Sequence, residues 1–169
     1  MASVFIGPSP KLMGTLFTML ISVVLFATSN AAAAPNNFDP GWCTWGAAEL
    51  FNATAPEPGA NWHGNADQWL WNAAAAGWEA RTSPFSVQVG AIICWTGGAE
   101  GWGHVAYVRD INWVTSEIEV QEMNWAAFGQ WDTRWLPMAN LDRQGRTATY
   151  VFAGYINPNW GPSCNIPRP

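Results

Sequence analysis

Gly64-Asn-Ala-Asp-Gln-Trp-Leu-Trp-Asn-Ala-Ala-Ala-Ala-Gly77 is the stretch on which the fold turns. It reads as a helix: Asn65 is the N-cap, Asp67 stands in the first turn where the backbone dipole favours an acid, and Gly77 is the stop. Trp69, Leu70, Ala73 and Ala74 recur at helical spacing and form its buried stripe. Upstream, Cys43-Thr-Trp-Gly-Ala-Ala-Glu-Leu-Phe51 has the composition and the Trp45, Ala48, Phe51 spacing of a shorter helix with Cys43 at its N-terminus. Downstream of Gly77 the period changes. Val87 to Trp95, His104 to Asp110, Ile118 to Trp125 and Thr149 to Ile156 are short β-branched or aromatic runs divided by Gly, Asn or Asp. Helices first and strands afterwards predict an α+β fold, N-terminal helices packed on one face of an antiparallel β-sheet.

Working outward to the N-terminus, Lys11 precedes an apolar run from Met13 to Ala27, followed by small residues from Ser29 to Ala34. That order is a basic region, an apolar region and a small-residue cleavage site, so residues 1–31 predict a signal peptide and a secreted product. The run falls short of the ~20 apolar residues that span a bilayer, so no stable membrane span is expected after processing. Residues 32–40, with two prolines and no periodicity, read as a linker. Residues 41–157 read as one folded domain and residues 158–169 as a C-terminal tail.

Removal of Lys11 leaves 6 basic residues against 12 acids, a formal charge of -6 that disfavours nucleic acid. Only 11% of residues are charged, while Trp numbers 13. Much of the surface is therefore amide, hydroxyl, glycine and indole, which suits sugar-rich, hydrogen-bonding ligands, although most single tryptophans are expected in the core. A monomer is expected.

Three cysteines in an exported chain leave one thiol over. Cys164 lies in a Pro/Asn/Gly tail and Cys94 ends an apolar strand, so the economical pairing is a Cys94–Cys164 disulfide with Cys43 free. A helix N-terminus offers partial positive charge and free N–H groups that favour a thiolate. The thiolate also needs a histidine to hold and return the proton, and a third group to orient that imidazole. His104 opens a strand after Gly97-Gly-Ala-Glu-Gly-Trp-Gly103, where a side chain at a sheet end reaches a helix packed across it; His63 sits in a loop. A histidine at a strand start is as often an ordinary polar residue satisfied locally. Glu122 and Asn124 alter that balance, because residues two apart in a strand share a face and a neighbouring strand would set one or both beside the His104 ring. Either can fix the tautomer; a carboxylate also stabilises the imidazolium.

Seven blocks carry a family resemblance: Gly41-Trp-Cys-Thr-Trp45, Trp62-His-Gly-Asn-Ala-Asp-Gln-Trp69, Ala76-Gly-Trp78, Val89-Gly-Ala-Ile92, Gly103-His-Val-Ala-Tyr-Val108, Glu122-Met-Asn-Trp125 and Gly154-Tyr-Ile156. In order and spacing the chain resembles the CHAP domain, the cysteine, histidine-dependent amidohydrolase/peptidase family. The resemblance implies a papain-like α+β fold, Cys43 and His104 as catalytic pair, and Glu122 and Asn124 at the positions of the orienting residues. It further implies cleavage of bacterial peptidoglycan, at the N-acetylmuramoyl-L-alanine amide or at a peptide bond of the stem or cross-bridge. Trp45, Trp102 and Trp125 are the expected substrate-binding residues, Trp45 standing where many relatives carry Tyr. Asn36-Asn-Phe-Asp-Pro40 offers one carboxylate in place of the acidic run that supports calcium in some relatives, so no metal is expected, nor any cofactor. The competing class is a non-catalytic cell-wall glycan-binding protein that retains the fold, but such a protein has no need of Cys43, His104, Glu122 and Asn124 together.

Overall fold

Helix α1 (Cys43–Thr54) begins at the expected residue and runs one turn past the expected end, its last turn carried by a hydrogen bond from the Thr54 hydroxyl to the Leu50 carbonyl at 3.1 Å. The computed structural model describes residues 34–160; the segment 1–31 and Cys164 lie outside the described residues. The second helix is split into a 3-10 turn, Ala66–Gln68, and helix α2, Trp69–Ala75. Asn65 leads into the turn, its backbone N–H donating to Gln68 Oε1 at 3.2 Å, and the indole N–H of Trp69 donates back to the Gly64 carbonyl at 3.0 Å. Of the expected buried stripe, Trp69, Leu70 and Ala73 are at 0% exposure, while Ala74 is only partly buried.

Among the described residues seven strands follow: β1 (Trp78–Arg81), β2 (Ile92–Gly97), β3 (His104–Asn112), β4 (Glu117–Met123), β5 (Trp131–Pro137), β6 (Arg143–Gln144) and β7 (Thr149–Trp160). They form one antiparallel sheet in the order β1-β7-β2-β3-β4-β5, with β6 pairing β7. The fold is therefore α+β, as expected. Strand β2 starts later than Val87 because the chain first turns, the Ala91 N–H bonding the Gln88 carbonyl. Strand β7 continues through Pro158 and Asn159 to Trp160, which pairs with Trp78, so residues 158–160 belong to the sheet rather than to a tail. Residues 34–40 are likewise held to the domain: Asn36 Nδ2 donates to the Trp45 carbonyl at 2.9 Å, and Phe38 packs on Trp69 with ring centroids 4.6 Å apart.

Strand alternation divides the core. Ile92, Cys94, Val105 and Tyr107 pack with Phe51 of α1, Trp69 and Leu70 of α2, and Trp62 of the segment between the two helices. Their neighbours Ile93, Trp95, Ala106 and Val108 pack instead with Ile118, Val120, Met138 and Leu141. Four indole or phenyl rings, Phe51, Trp62, Trp69 and Trp78, meet edge-on at 4.9 to 6.0 Å in the helix-side core. Such pairs add about 0.5 to 1.5 kcal/mol each beyond the area they bury, which fixes the helices firmly on the sheet.

Candidate active site

Two tight turns place Cys43 and His104. Gly41 adopts φ +91, and a Cβ there would stand 2.7 Å from the Phe128 ring, so glycine is required for the reversal that makes Cys43 the first residue of α1. Gly103 adopts φ +74 against backbone atoms of Asp67 and Trp95, where a Cβ would stand at 2.5 Å. No other residue fits, and the next position, His104, begins β3 with its side chain at the end of the sheet. Cys43 and His104 line one groove at that end, and each acts on the charge of the other.

Burial alone would raise the Cys43 thiol, but the His104 charge and hydrogen bond, with backbone N–H donors of Val105 and Thr44, hold it below its ordinary value. For His104, burial alone would favour the neutral ring. The Cys43 charge and hydrogen bond, joined by those of Glu122, overcome this and push the imidazole up to about 9. The arrangement is that of a thiolate–imidazolium pair, whose titrations belong to the two groups jointly.

Of the two candidate orienting residues, Glu122 takes the place beside the ring. Its Oε2 lies 2.8 Å from His104 Nε2, leaving Nδ1 for the sulfur. Asn124 falls just beyond β4, in a left-handed conformation (φ +64) that ends the strand alternation on which the shared-face expectation rested. It lines the groove instead.

Glu122 is 1% exposed and more heavily bound than the sequence indicates. Arg143 Nη1 donates to Oε2 at 2.7 Å and Nη2 to Oε1 at 3.0 Å. Arg134 Nε stands 2.8 Å from Oε1 as an ion pair without hydrogen-bond geometry, and the same guanidinium pairs with Asp132. Burial would raise the Glu122 carboxyl, but hydrogen bonds and charges from His104 and Arg143 hold it at about 2. Two carboxylates, Glu122 and Asp132, thus face two guanidiniums, Arg143 and Arg134. A buried group of this kind persists only when so paired. Arg143 and Arg134 escaped the sequence reading because neither belongs to a periodic motif; Arg143 lies in a strand of two residues.

Above Cys43 and His104 lies a groove of about 530 Å³, walled by Trp42, Trp102, Tyr150, Asn124, His63 and the Asn37–Asp39 stretch. Trp102, half exposed, stands on this groove, with Trp42 edge-on to it at 6.3 Å. Trp45 and Trp125 are not among its lining residues. Trp45, on α1, packs beside Trp131 of β5, and Trp125 lies under the Arg143 guanidinium at 3.4 Å with its ring edge-on to His104 at 5.1 Å.

The expected Cys94–Cys164 disulfide is corrected: Cys94 is a free thiol. It sits mid-strand in β2, 1% exposed, in the same helix-side cluster as Cys43, with β3 and β7 bonded on its two sides. Burial, and then the charge of Cys43, push this thiol well up, so it stays protonated.

A family model described as CHAP domain matches residues 34–124. A Streptococcus mutans serotype c protein, provisionally named a hydrolase, is 33% identical over 124 residues, which are 73% of this chain and 52% of that protein. The Staphylococcus epidermidis secretory antigen SsaA is 38% identical over 98 residues, 57% of this chain and 34% of the antigen. The chain thus spans about half of the first of these relatives and a third of the second. Among solved structures, an N-acetylmuramoyl-L-alanine amidase from Staphylococcus aureus superposes with a TM-score of 0.47 at 19% identity, covering 79% of this chain and 38% of that one.

Proposed function

Because this chain belongs to the CHAP domain family, we propose that it is a cysteine hydrolase cutting an amide bond of bacterial peptidoglycan, with Cys43 as nucleophile and His104 as general acid and base. The observation that carries the reading is the line of contacts from the Cys43 sulfur through the imidazole to the Glu122 carboxylate, set beneath an open groove. Thiolate, proton carrier and orienting group are the three parts that acyl transfer to sulfur needs.

The Cys43 thiolate attacks the scissile carbonyl carbon, and the oxyanion that forms faces the free N–H groups at the start of α1. His104 passes its proton to the amide nitrogen, which leaves as an amine and gives a thioester on Cys43. A water molecule, deprotonated by His104, then attacks the thioester; the acid departs and the thiolate is restored. Glu122 holds the ring in orientation and stabilises it while it is charged. Trp102 and Trp42 flank the groove as apolar walls for the sugar or stem. The protein acts outside the cell, a reading supported by the signal pattern in residues 1–31 and by the secretory names of its staphylococcal relatives.

Mass spectrometry of muropeptides after digestion of purified walls tests the proposal. A new free muramic lactyl end identifies an amidase, and a new peptide amine identifies an endopeptidase. Retention of the protein on walls with no new ends, in a preparation whose Cys43 alkylates rapidly, would leave the glycan-binding alternative.

A further inference from the structure

Glu122 is gripped from the side opposite His104 by a residue to which the reaction scheme gives no part. A carboxylate offers about four lone-pair directions. Here His104 Nε2 and Arg143 Nη1 meet Oε2, while Arg143 Nη2 and Arg134 Nε meet Oε1. Rotation of the carboxylate would break the paired Arg143 bonds before it freed the histidine. Arg143 is itself fixed: it is 7% exposed, its guanidinium lies 3.4 Å from the Trp125 ring centroid and 5.1 Å from that of Trp95, and both rings also touch the His104 imidazole. One layer of aromatic and guanidinium planes therefore sets carboxylate and imidazole against each other.

We propose that Arg143 is a positioning residue for the reaction, acting through its two-point grip on Glu122 to hold Oε2 on His104 Nε2. The proposal rests on the reading of Cys43 and His104 as the reacting pair. It lies outside the stretch matched by the family model, which ends at residue 124. A planar fork suits the task and an ammonium does not, since lysine cannot donate two parallel bonds to one carboxylate.

Grip and nearby charge act on His104 with opposite sign, and this separates them. A cation that merely stands near the imidazole disfavours its protonation, so its removal would raise the histidine's midpoint. A grip that keeps the carboxylate in place favours protonation, so its loss lowers the midpoint. The charged and titratable groups around the ring are Cys43 from α1, Glu122 from β4, Arg134 and Asp132 from β5, Arg143 from β6 and Tyr150 from β7.

The test is the His104 titration by NMR in Arg143→Met, with His63, the chain's other histidine, as internal reference. It is joined by the pH profile of Cys43 alkylation. The expected result is a His104 midpoint lower by about one pH unit and an alkylation midpoint shifted upward. On walls, kcat should fall about 10- to 100-fold with KM nearly unchanged, as when the partner of an active group is removed. Glu122→Gln combined with Arg143→Met should titrate like Glu122→Gln alone, because a residue acting through Glu122 has nothing left to act on. Arg143→Lys keeps the charge, carries the test should the methionine variant not fold, and should recover only part of the loss. A His104 midpoint that rises or stays put, additive effects in the double variant, or full recovery with lysine would each overturn the grip. Both titrations are read without wall material, so failure of the peptidoglycan reading would leave them standing.

Discussion

Cys43 and Cys94 occupy one buried cluster and differ in everything that matters to a sulfur atom. Cys43 is the first residue of a helix, accepts backbone N–H bonds from Thr44 and Val105, and faces an imidazole that leans on an anchored carboxylate. Cys94 lies in the middle of a strand, with its backbone spent on the ladder and apolar neighbours around its side chain. Burial acts on both in the same direction, toward the neutral thiol. Its effect is reversed at one position because three cheap local features converge there: a helix start, a neighbouring cation and free N–H groups. Reactivity here is therefore a property of the place in the fold, and neither depth nor residue type distinguishes the two.

The largest expected effect follows directly. Cys43→Ser and His104→Ala should each lower wall hydrolysis by about 10⁴-fold or more, since members of such a unit fail together. Unchanged turnover in Cys43→Ser would remove the basis of the comparison. Below these, Glu122→Gln should cost about 10²-fold, because the neutral amide keeps the shape but no longer stabilises the imidazolium. Asn124→Ala should cost less than about tenfold, Asn124 standing on the groove wall without a bond to the ring. Steady-state rates on purified walls check both, and a reversed order would return the orienting role to Asn124.

The contrast between Glu122 and Asn124 shows where sequence reasoning stopped. Spacing of two put both on one strand face, and that holds only while the strand lasts; Met123 ends β4, and the left-handed backbone at Asn124 turns its side chain elsewhere. The helices, four of the strands and the Cys43, His104 and Glu122 positions were legible because each depends on local pattern. Strand β1 and strand β5 were not. One is four residues long and the other ends in Pro137, and both are defined by their partners β7 and β4. Arg143 was invisible for the same reason, being joined to Glu122 across 21 residues by a fold that no periodicity announces. The disulfide expectation placed Cys94 at the end of an apolar strand, whereas it lies within β2. Cys94 faces the helix-side core, and a bridge requires a partner Cα within about 7 Å.

A subtler effect appears with pH. The Glu122 carboxyl, held at about 2 against an ordinary 4.5, contributes stability that is present above pH 4.5 and is lost as pH falls toward 2. The imidazole, raised to about 9 from 6.5, contributes stability that is complete below pH 6.5 and is lost as pH rises through 9. The Cys43 thiol, held below its ordinary 9.0, acts with the opposite sign and gains stability as pH rises toward 9.0, so it offsets the imidazole's loss. Melting temperature should therefore fall below about pH 4.5 and stay nearly level from pH 6.5 toward 9 as these groups set it. In Cys43→Ser the opposing thiol contribution is gone while Glu122 still raises His104, so a decline beginning at about pH 6.5 should appear on the alkaline side. An alkaline limb that does not move on this substitution would separate His104 from the sulfur and weaken the contrast between the two thiols.

The smallest effect is expected at Cys94, and its smallness is the point. In the native protein, iodoacetamide at neutral pH should label Cys43 and leave Cys94 unmodified until the chain unfolds, because a protonated sulfur at 1% exposure is neither nucleophilic nor accessible. Cys94→Ala removes one buried sulfur, comparable to a large methylene, and should lower stability by about 1 kcal/mol through the small void it leaves. For a domain of this size that is a fall of roughly 3 to 5 °C in melting temperature. Because Cys94 is neutral throughout the working range, its loss removes no charge from the neighbourhood of Cys43. The alkylation midpoint of Cys43 should therefore stay where it is, and wall hydrolysis should remain within about twofold, the scatter of a neutral core change. Dithiothreitol should leave the wild-type melting temperature unchanged, there being no bond at Cys94 to reduce. A reductant-sensitive melting temperature, or a Cys43 midpoint that shifts in Cys94→Ala, would mean that the quiet thiol is coupled to the reactive one after all.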